Sequence, residues 1–231
     1  ACQDQNDLPN KNRNAKLDIV QILETISVDL AHLRPLKEQL QRVLQHSVIM
    51  SSAKSLQGCR VEVVGSSSWG GDVPQSDLDM VVLTPTGQAV GTKAVNILKD
   101  LRSSLEDSCW SLPEANRRCN KDSVPWQSSE LLDTAYVPVL RLHCRNGFHC
   151  DICVDQQHSL VHRDSLRKLA VARPEALNLV RLVKYCLHCR GLPLAAEGGI
   201  PSLAWSLIAF SCAFRSPADT SIHDLFGSFL K

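Results

Sequence analysis

Residues 63–83 read Val-Val-Gly-Ser-Ser-Ser-Trp-Gly-Gly-Asp-Val-Pro-Gln-Ser-Asp-Leu-Asp-Met-Val-Val-Leu, and no other stretch limits the fold so strongly. The run from Gly65 to Gly71 is too rich in glycine and serine for a helix. It must be a loop between two apolar strands, residues 60–64 and 80–83, the second closed by Thr84-Pro85. Asp77 and Asp79 stand two apart where the second strand begins, which sends both carboxylates to one face. Like charges so placed repel unless a cation sits between them, and oxygen ligands suit Mg2+. The loop upstream offers backbone N–H groups and hydroxyls, the groups that cradle phosphate oxygens. A phosphate cradle followed by a metal-binding pair points to nucleotide chemistry.

A third carboxylate would complete a two-metal site. Asp151 is the one acidic residue in the apolar run Phe148-His149-Cys150-Asp151-Ile152-Cys153-Val154. A charge buried there must be offset, by a metal or by an ion pair with Arg141 or His143 on the preceding strand. Beside Asp77 and Asp79, the metal is the reading adopted. Strands 135–144 and 148–154 are joined by Arg145-Asn146-Gly147, a hairpin signal.

Elsewhere the period is helical. Leu17, Ile19, Val20, Ile22, Leu23, Ile26 and Val28 predict one helix, residues 36–49 a second and residues 88–105 a third. Residues 107–133 are polar, hold Pro113 and Pro125, and read as a long surface connection. From Ser165 the pattern stays helical: 166–171, then 174–190 opened by Pro174, 201–214 opened by Pro201, and 222 onward. An α+β half thus precedes an all-helical half. The expected organisation is N-terminal helices over 1–50, a catalytic domain over 51–160 and a helical nucleotide-binding domain over 161–231. The last ends within a helical pattern and is expected to be incomplete.

The chain has 231 residues, 44% hydrophobic and 21% charged, which supplies a core and excludes disordered, collagen-like and rod-like classes. With 25 basic and 24 acidic residues the net charge is +1, so a polyanion must meet a local patch. Residues 160–190 offer one: Arg163, Arg167, Lys168, Arg173, Arg181, Lys184 and Arg190 against Asp164 and Glu175. No apolar run reaches membrane-spanning length and the leader 1–16 lacks a signal-peptide core, so no membrane partner is expected. Ten cysteines are too few for a disulfide scaffold and read as reduced thiols in an intracellular compartment, cytoplasm or mitochondrion. Cys150 and Cys153, three apart on a strand, face opposite sides and cannot chelate together. Trp69 reads as a loop anchor and Trp205 as core.

Gly65-Ser66, then Asp77-Leu78-Asp79, then a lone strand Asp151 resemble the nucleotidyltransferase superfamily that includes DNA polymerase beta. Leu179-Val180-Arg181-Leu182-Val183-Lys184, leading through Arg190-Gly191-Leu192 to Gly198-Gly199-Ile200-Pro201-Ser202, narrows the likeness. Over residues 60–231 the chain resembles RNA terminal uridylyltransferases and noncanonical poly(A) polymerases. The resemblance implies a polymerase-beta-like catalytic domain followed by a helical domain, with the active site in the cleft between them. It implies template-independent addition of nucleotides to the 3′ end of single-stranded RNA, with UTP as first choice, ATP as the alternative and Mg2+ or Mn2+ as cofactor. Membership of a protein complex fits it, and a catalytically silent RNA-binding or scaffold subunit is the rival from another class.

Carried over residue by residue, Asp77, Asp79 and Asp151 are the metal-binding and catalytic carboxylates, and Asp151 is also the base for the 3′-hydroxyl. Gly65 and Ser66 form the triphosphate loop, Lys184 and Ser202 hold the triphosphate, and Arg141 matches an arginine that meets the RNA end. The chain departs from the pattern where a base-stacking Tyr is Leu203, where a second helix lysine is His188, and where a ribose-contacting Asn falls on or beside Asp164.

Overall fold

The computed structural model describes residues 18–108, 125–145, 147–193 and 195–231. The polar leader, much of the connection expected over 107–133 and the turn residue Asn146 lie outside them. Helix α1, Ile19–Met50, opens the fold, and Asp18 caps it by accepting the N–H of Val20 at 3.0 Å. Two helices are expected here, but the structure has one that runs through Pro35. A proline inside a helix costs about 3 kcal/mol, whereas each leucine taken out of water returns roughly 1.5–3 kcal/mol. Leu33, Leu36, Leu40 and Leu44 carry one packed stripe across Pro35, so packing outweighs the loss.

Strands β1 (Arg60–Val64), β2 (Leu78–Leu83), β3 (Trp126–Leu132), β4 (Val139–Cys144) and β5 (His149–Val154) form one sheet in the order β1-β2-β5-β4-β3. Strands β2 and β5 are parallel neighbours, and the other pairs are antiparallel. Strand β3 occupies part of the expected connection. It lies at the sheet edge with Gln127, Ser128 and Glu130 exposed, so apolar positions mark it only at Trp126, Leu131 and Leu132.

Helices α1 and α2 (Thr92–Ser108) cover one face of the sheet, with Leu40, Leu44, Met80, Leu98, Leu101 and Ile152 buried between the layers. The other face carries Asp79, Arg141 and Asp151. It is crossed at its β1 side by helix α3 (Gln157–Ala172), whose Leu160 packs with Val64, Val81 and Leu83. This helix opens at Gln157 instead of near Ser165, and it therefore runs through residue 160.

Helices α4 (Pro174–Cys189), α5 (Ser202–Arg215) and α6 (Ile222–Phe229) follow, with Pro174 at the first position of α4 as expected. They share a second apolar cluster around Leu179, Val180, Val183, Phe210 and Leu225. Trp69 reaches into it from the glycine-rich loop, its ring 5.9 Å from that of Phe210, and so anchors the loop to the helices. Trp205 packs on Phe229 at 6.2 Å. Cys150 lies in the main core while Cys153 packs on the opposite face, as the strand period requires. Among the described residues no helix is long and apolar enough to cross a membrane.

Candidate active site

The sheet aligns the expected carboxylates. Parallel pairing of β2 and β5 sets Asp79 opposite Asp151, and antiparallel pairing of β5 and β4 sets Asp151 opposite Arg141. Val64 on β1 and Glu130 on β3 end the same row. Burial, then the charges of Asp151 and Asp77, push the Asp79 carboxyl up from 3.8 to about 6, against the pull of Lys184 and Lys37. Asp151 is gripped by Arg141, whose Nε donates to Oδ1 at 2.8 Å and whose Nη2 donates to Oδ2 at 2.6 Å. The ion pair that the sequence offered as the alternative for Asp151 is thus formed, and it occupies the arginine expected to meet RNA. Asp77 accepts the backbone N–H of His149 at 3.1 Å.

With Asp151 and Asp77 so engaged, no three carboxylate, histidine or cysteine side chains among the described residues are grouped to hold a metal ion. The donors nonetheless fit a hard divalent cation. They are carboxylate oxygens, and Asp79 carries an unfavourable charge that a cation would relieve.

Gly65 closes the loop against this row. Its φ of +62° is open to glycine at little cost, and a Cβ there would collide with the Asp79 carboxylate. The Gly71 N–H donates to the Ser66 carbonyl at 3.0 Å, and Gly71 lies so close to the Trp69 ring that no side chain fits. Basic residues from three helices then hold the loop from outside. Arg167 donates to the Ser68 carbonyl at 2.6 Å and Arg181 to the Gly70 carbonyl at 2.9 Å. Lys184 donates to the Gly71 carbonyl at 3.0 Å and to Ser76 Oγ at 3.1 Å, and burial pulls its ammonium down to about 8. From α1, the Lys37 Nζ donates to Asp72 Oδ2 and to Ser67 Oγ, at 3.0 Å each. The expected basic patch is therefore in large part scaffolding, since Arg163, Arg167, Arg173, Arg181 and Lys184 all donate to protein acceptors.

Two cavities flank Gly65 and Asp79. One, about 200 Å3, lies between the loop and the helices and is lined by Gly65, Ser66, Trp69 and Asp79, by Ser202, Leu203 and Ser206 of α5, and by Ser159, His162, Arg163 and Leu166 of α3. The other, about 380 Å3, opens on Asp79 and Asp151 and is walled by Val137, Val139 and Gln156. Of the residues expected at the nucleotide, Gly65, Ser66, Ser202 and Leu203 line the first cavity, and Lys184 stands behind its loop. His188 is exposed in the last turn of α4, away from that cavity. Asp164 is also turned away: the α3 face toward the cleft carries Ser159, His162, Arg163 and Leu166, and Asp164 binds Arg163 at 2.9 Å on the exposed side.

Sequence reasoning missed Lys37, Asp72, Ser159, His162 and Ser206, and it knew Arg163 only as part of the basic patch. Lys37 carried a signal, a lone lysine inside the stripe Leu33, Leu36, Leu40, Leu44. Ser159 and His162 carried none once that helix was expected to open at Ser165.

The family model described as poly(A) RNA polymerase, mitochondrial-like, central palm domain, matches residues 16–163. Among solved structures, the polymerase core of TRAMP, an RNA surveillance complex, matches at TM-score 0.65 and 21% identity, covering 92% of this chain and 60% of that one. Terminal uridylyl transferase 4 from Trypanosoma brucei with bound UTP and UMP matches at TM-score 0.63 and 18% identity, covering 85% of this chain and 57% of that one. The GLD-2/RNP-8 complex matches at TM-score 0.63 and 15% identity, covering 92% of this chain and 81% of that one. At these identities the likeness is one of fold. The chain spans about 60% of the length of the first structures that it matches. No curated protein matches it in sequence.

Proposed function

The chain belongs to the mitochondrial-like poly(A) RNA polymerase family through its central palm domain, and from that premise we propose that it transfers nucleotides, without a template, to the 3′ end of single-stranded RNA. The observation that carries this reading is the row Asp79–Asp151 across two parallel strands, with Gly65 closed upon it and a cavity on either side. The division into residues 1–50, 51–160 and 161–231 is proposed with it; the sheet and the last helices have separate apolar clusters, while α1 packs in the cluster of the sheet and α3 runs across residue 160.

In this reading the nucleoside triphosphate enters the cavity lined by Ser66 and Ser202. Backbone N–H groups at Gly65 and Ser66 and the Ser202 hydroxyl at the start of α5 bind its phosphates, joined by the Lys184 ammonium once it leaves the Gly71 carbonyl and Ser76. The acceptor RNA end comes from the side of Val137 and Val139, where Asp151 accepts the proton of the 3′-hydroxyl after Arg141 releases it. The 3′-oxygen then bonds to the α-phosphorus as pyrophosphate leaves. Asp77, Asp79 and Asp151 would hold divalent cations, Mg2+ or Mn2+, whose charge would acidify the hydroxyl and steady the leaving pyrophosphate. Leu203, in the place of a stacking Tyr, offers the base an apolar wall.

UTP is the nucleotide assigned first, on the likeness to uridylyl transferases. ATP is the second reading, favoured by the description of the family model. The test is extension of a labelled single-stranded RNA by the full-length protein with Mg2+ and each nucleoside triphosphate in turn, beside Asp77→Ala/Asp79→Ala. Uridine addition that the double variant lacks is the expected result, and a preference for ATP moves the reading to the poly(A) branch. No extension with any nucleotide overturns the enzyme and leaves the silent scaffold.

A further inference from the structure

Lys37 lies outside every motif that points to nucleotide transfer, yet it ends inside the site. It is 8% exposed, and its partner Asp72 is nearly as enclosed. The ammonium, the Asp72 carboxylate and the Ser67 hydroxyl form a closed triangle: Nζ to Oδ2 and Nζ to Oγ at 3.0 Å each, and Ser67 Oγ donating to Oδ2 at 3.2 Å. The Phe148 ring faces the ammonium with its centroid 5.8 Å away. Ser67 lies within the loop and Asp72 directly follows it, and Ser67 comes next after the Ser66 expected to meet the triphosphate. Arg181 and Lys184 hold the end of the same loop, at Gly70 and Gly71.

We propose, resting on the nucleotide-transfer reading above, that Lys37 is a positioning residue for the nucleotide: through Asp72 and Ser67 it ties the triphosphate loop to helix α1 and fixes the height at which Gly65 and Ser66 meet the phosphates. The N-terminal helix is thereby a working part of the nucleotide site. Lys37 binds no residue of the cavity walled by Val137 and Val139, so RNA binding should not depend on it.

The experiment measures equilibrium binding of UTP and of ATP, each with Mg2+, and separately of labelled RNA, by the full-length protein and two variants. Lys37→Met/Asp72→Asn removes both charges of the pair together, and a thermal melt checks that the fold is kept. A misplacement of about 1 Å in a site of this kind costs up to about a hundredfold. The double variant is accordingly expected to bind the triphosphates at least about tenfold more weakly, with RNA affinity unchanged. Lys37→Arg, which keeps the charge, is expected to recover most of that loss. Triphosphate binding by the double variant equal to wild type overturns the proposal, as does a parallel loss for triphosphate and RNA. Wild-type protein that binds triphosphate but extends no RNA overturns the transfer reading alone, and wild-type protein that binds no triphosphate overturns both.

Discussion

Asp79→Asn replaces the most strained charge of the site by an amide of nearly the same shape, and the structure sets the expected effect. In the folded protein the Asp79 carboxyl sits at about 6 against an ordinary value of 3.8, a rise of about two units. At roughly 1.4 kcal/mol per unit, an ionised Asp79 opposes folding by about 3 kcal/mol. The cost arises from burial beside Asp151 and Asp77, and the amide escapes it. Because the folded-state value is the higher one, the penalty is present in full above about pH 6. It is relieved as pH falls from about 6 toward 3.8, where the folded carboxyl takes up its proton before the unfolded one does. Urea unfolding in EDTA at pH 8 should therefore find Asp79→Asn more stable than wild type by about 3 kcal/mol, and at pH 4 the two should nearly coincide. Adding Mg2+ at pH 8 should stabilise wild type and leave the variant unmoved, while the variant loses transfer activity. An Asp79→Asn protein no more stable than wild type at pH 8 in EDTA, or a gain that ignores pH, would refute the argument that burial and the neighbouring carboxylates hold the Asp79 carboxyl up.

Three further outcomes are expected. The ammonium of Lys184, pulled down to about 8 by burial, should make kcat/KM for the triphosphate fall as pH rises above about 8, and Lys184→Arg should move that fall to higher pH in a pH–rate profile. Gly65→Ala places a Cβ on the Asp79 carboxylate at a positive φ, so transfer should slow by about a hundredfold or more in single-turnover assays while circular dichroism stays that of wild type. Arg141→Gln removes the forked donor from Asp151 and should let Mn2+ bind severalfold more tightly by titration calorimetry; unchanged affinity would mean that Asp151 takes no part in holding the ion.

Local pattern made part of this molecule legible. The loop at Gly65, the strand that begins just after Asp77 and carries Asp79, the hairpin before Asp151 and the Pro174 and Pro201 helix starts follow from rules that span a few residues, and each stands where the sequence places it. Elements whose signal is weak locally were misplaced. Strand β3 is half solvent-facing and lacks alternation, α3 begins in polar residues, and Pro35 reads as a break although the packed leucines on either side carry the helix through it.

Determined by sequence alone were the kinds of groups in the site: two carboxylates two residues apart where a strand begins, a third in a later strand, and a loop that only glycine and small polar residues can form. Their arrangement was decided by tertiary structure. The pairing of β2 with β5 sets Asp79 against Asp151, Arg141 fills the third place of the row, and Lys37 arrives from a helix that no motif includes. Backbone period and turn chemistry act within a few residues, whereas register between distant strands and the burial of one lysine among leucines depend on the energy of the whole packed core.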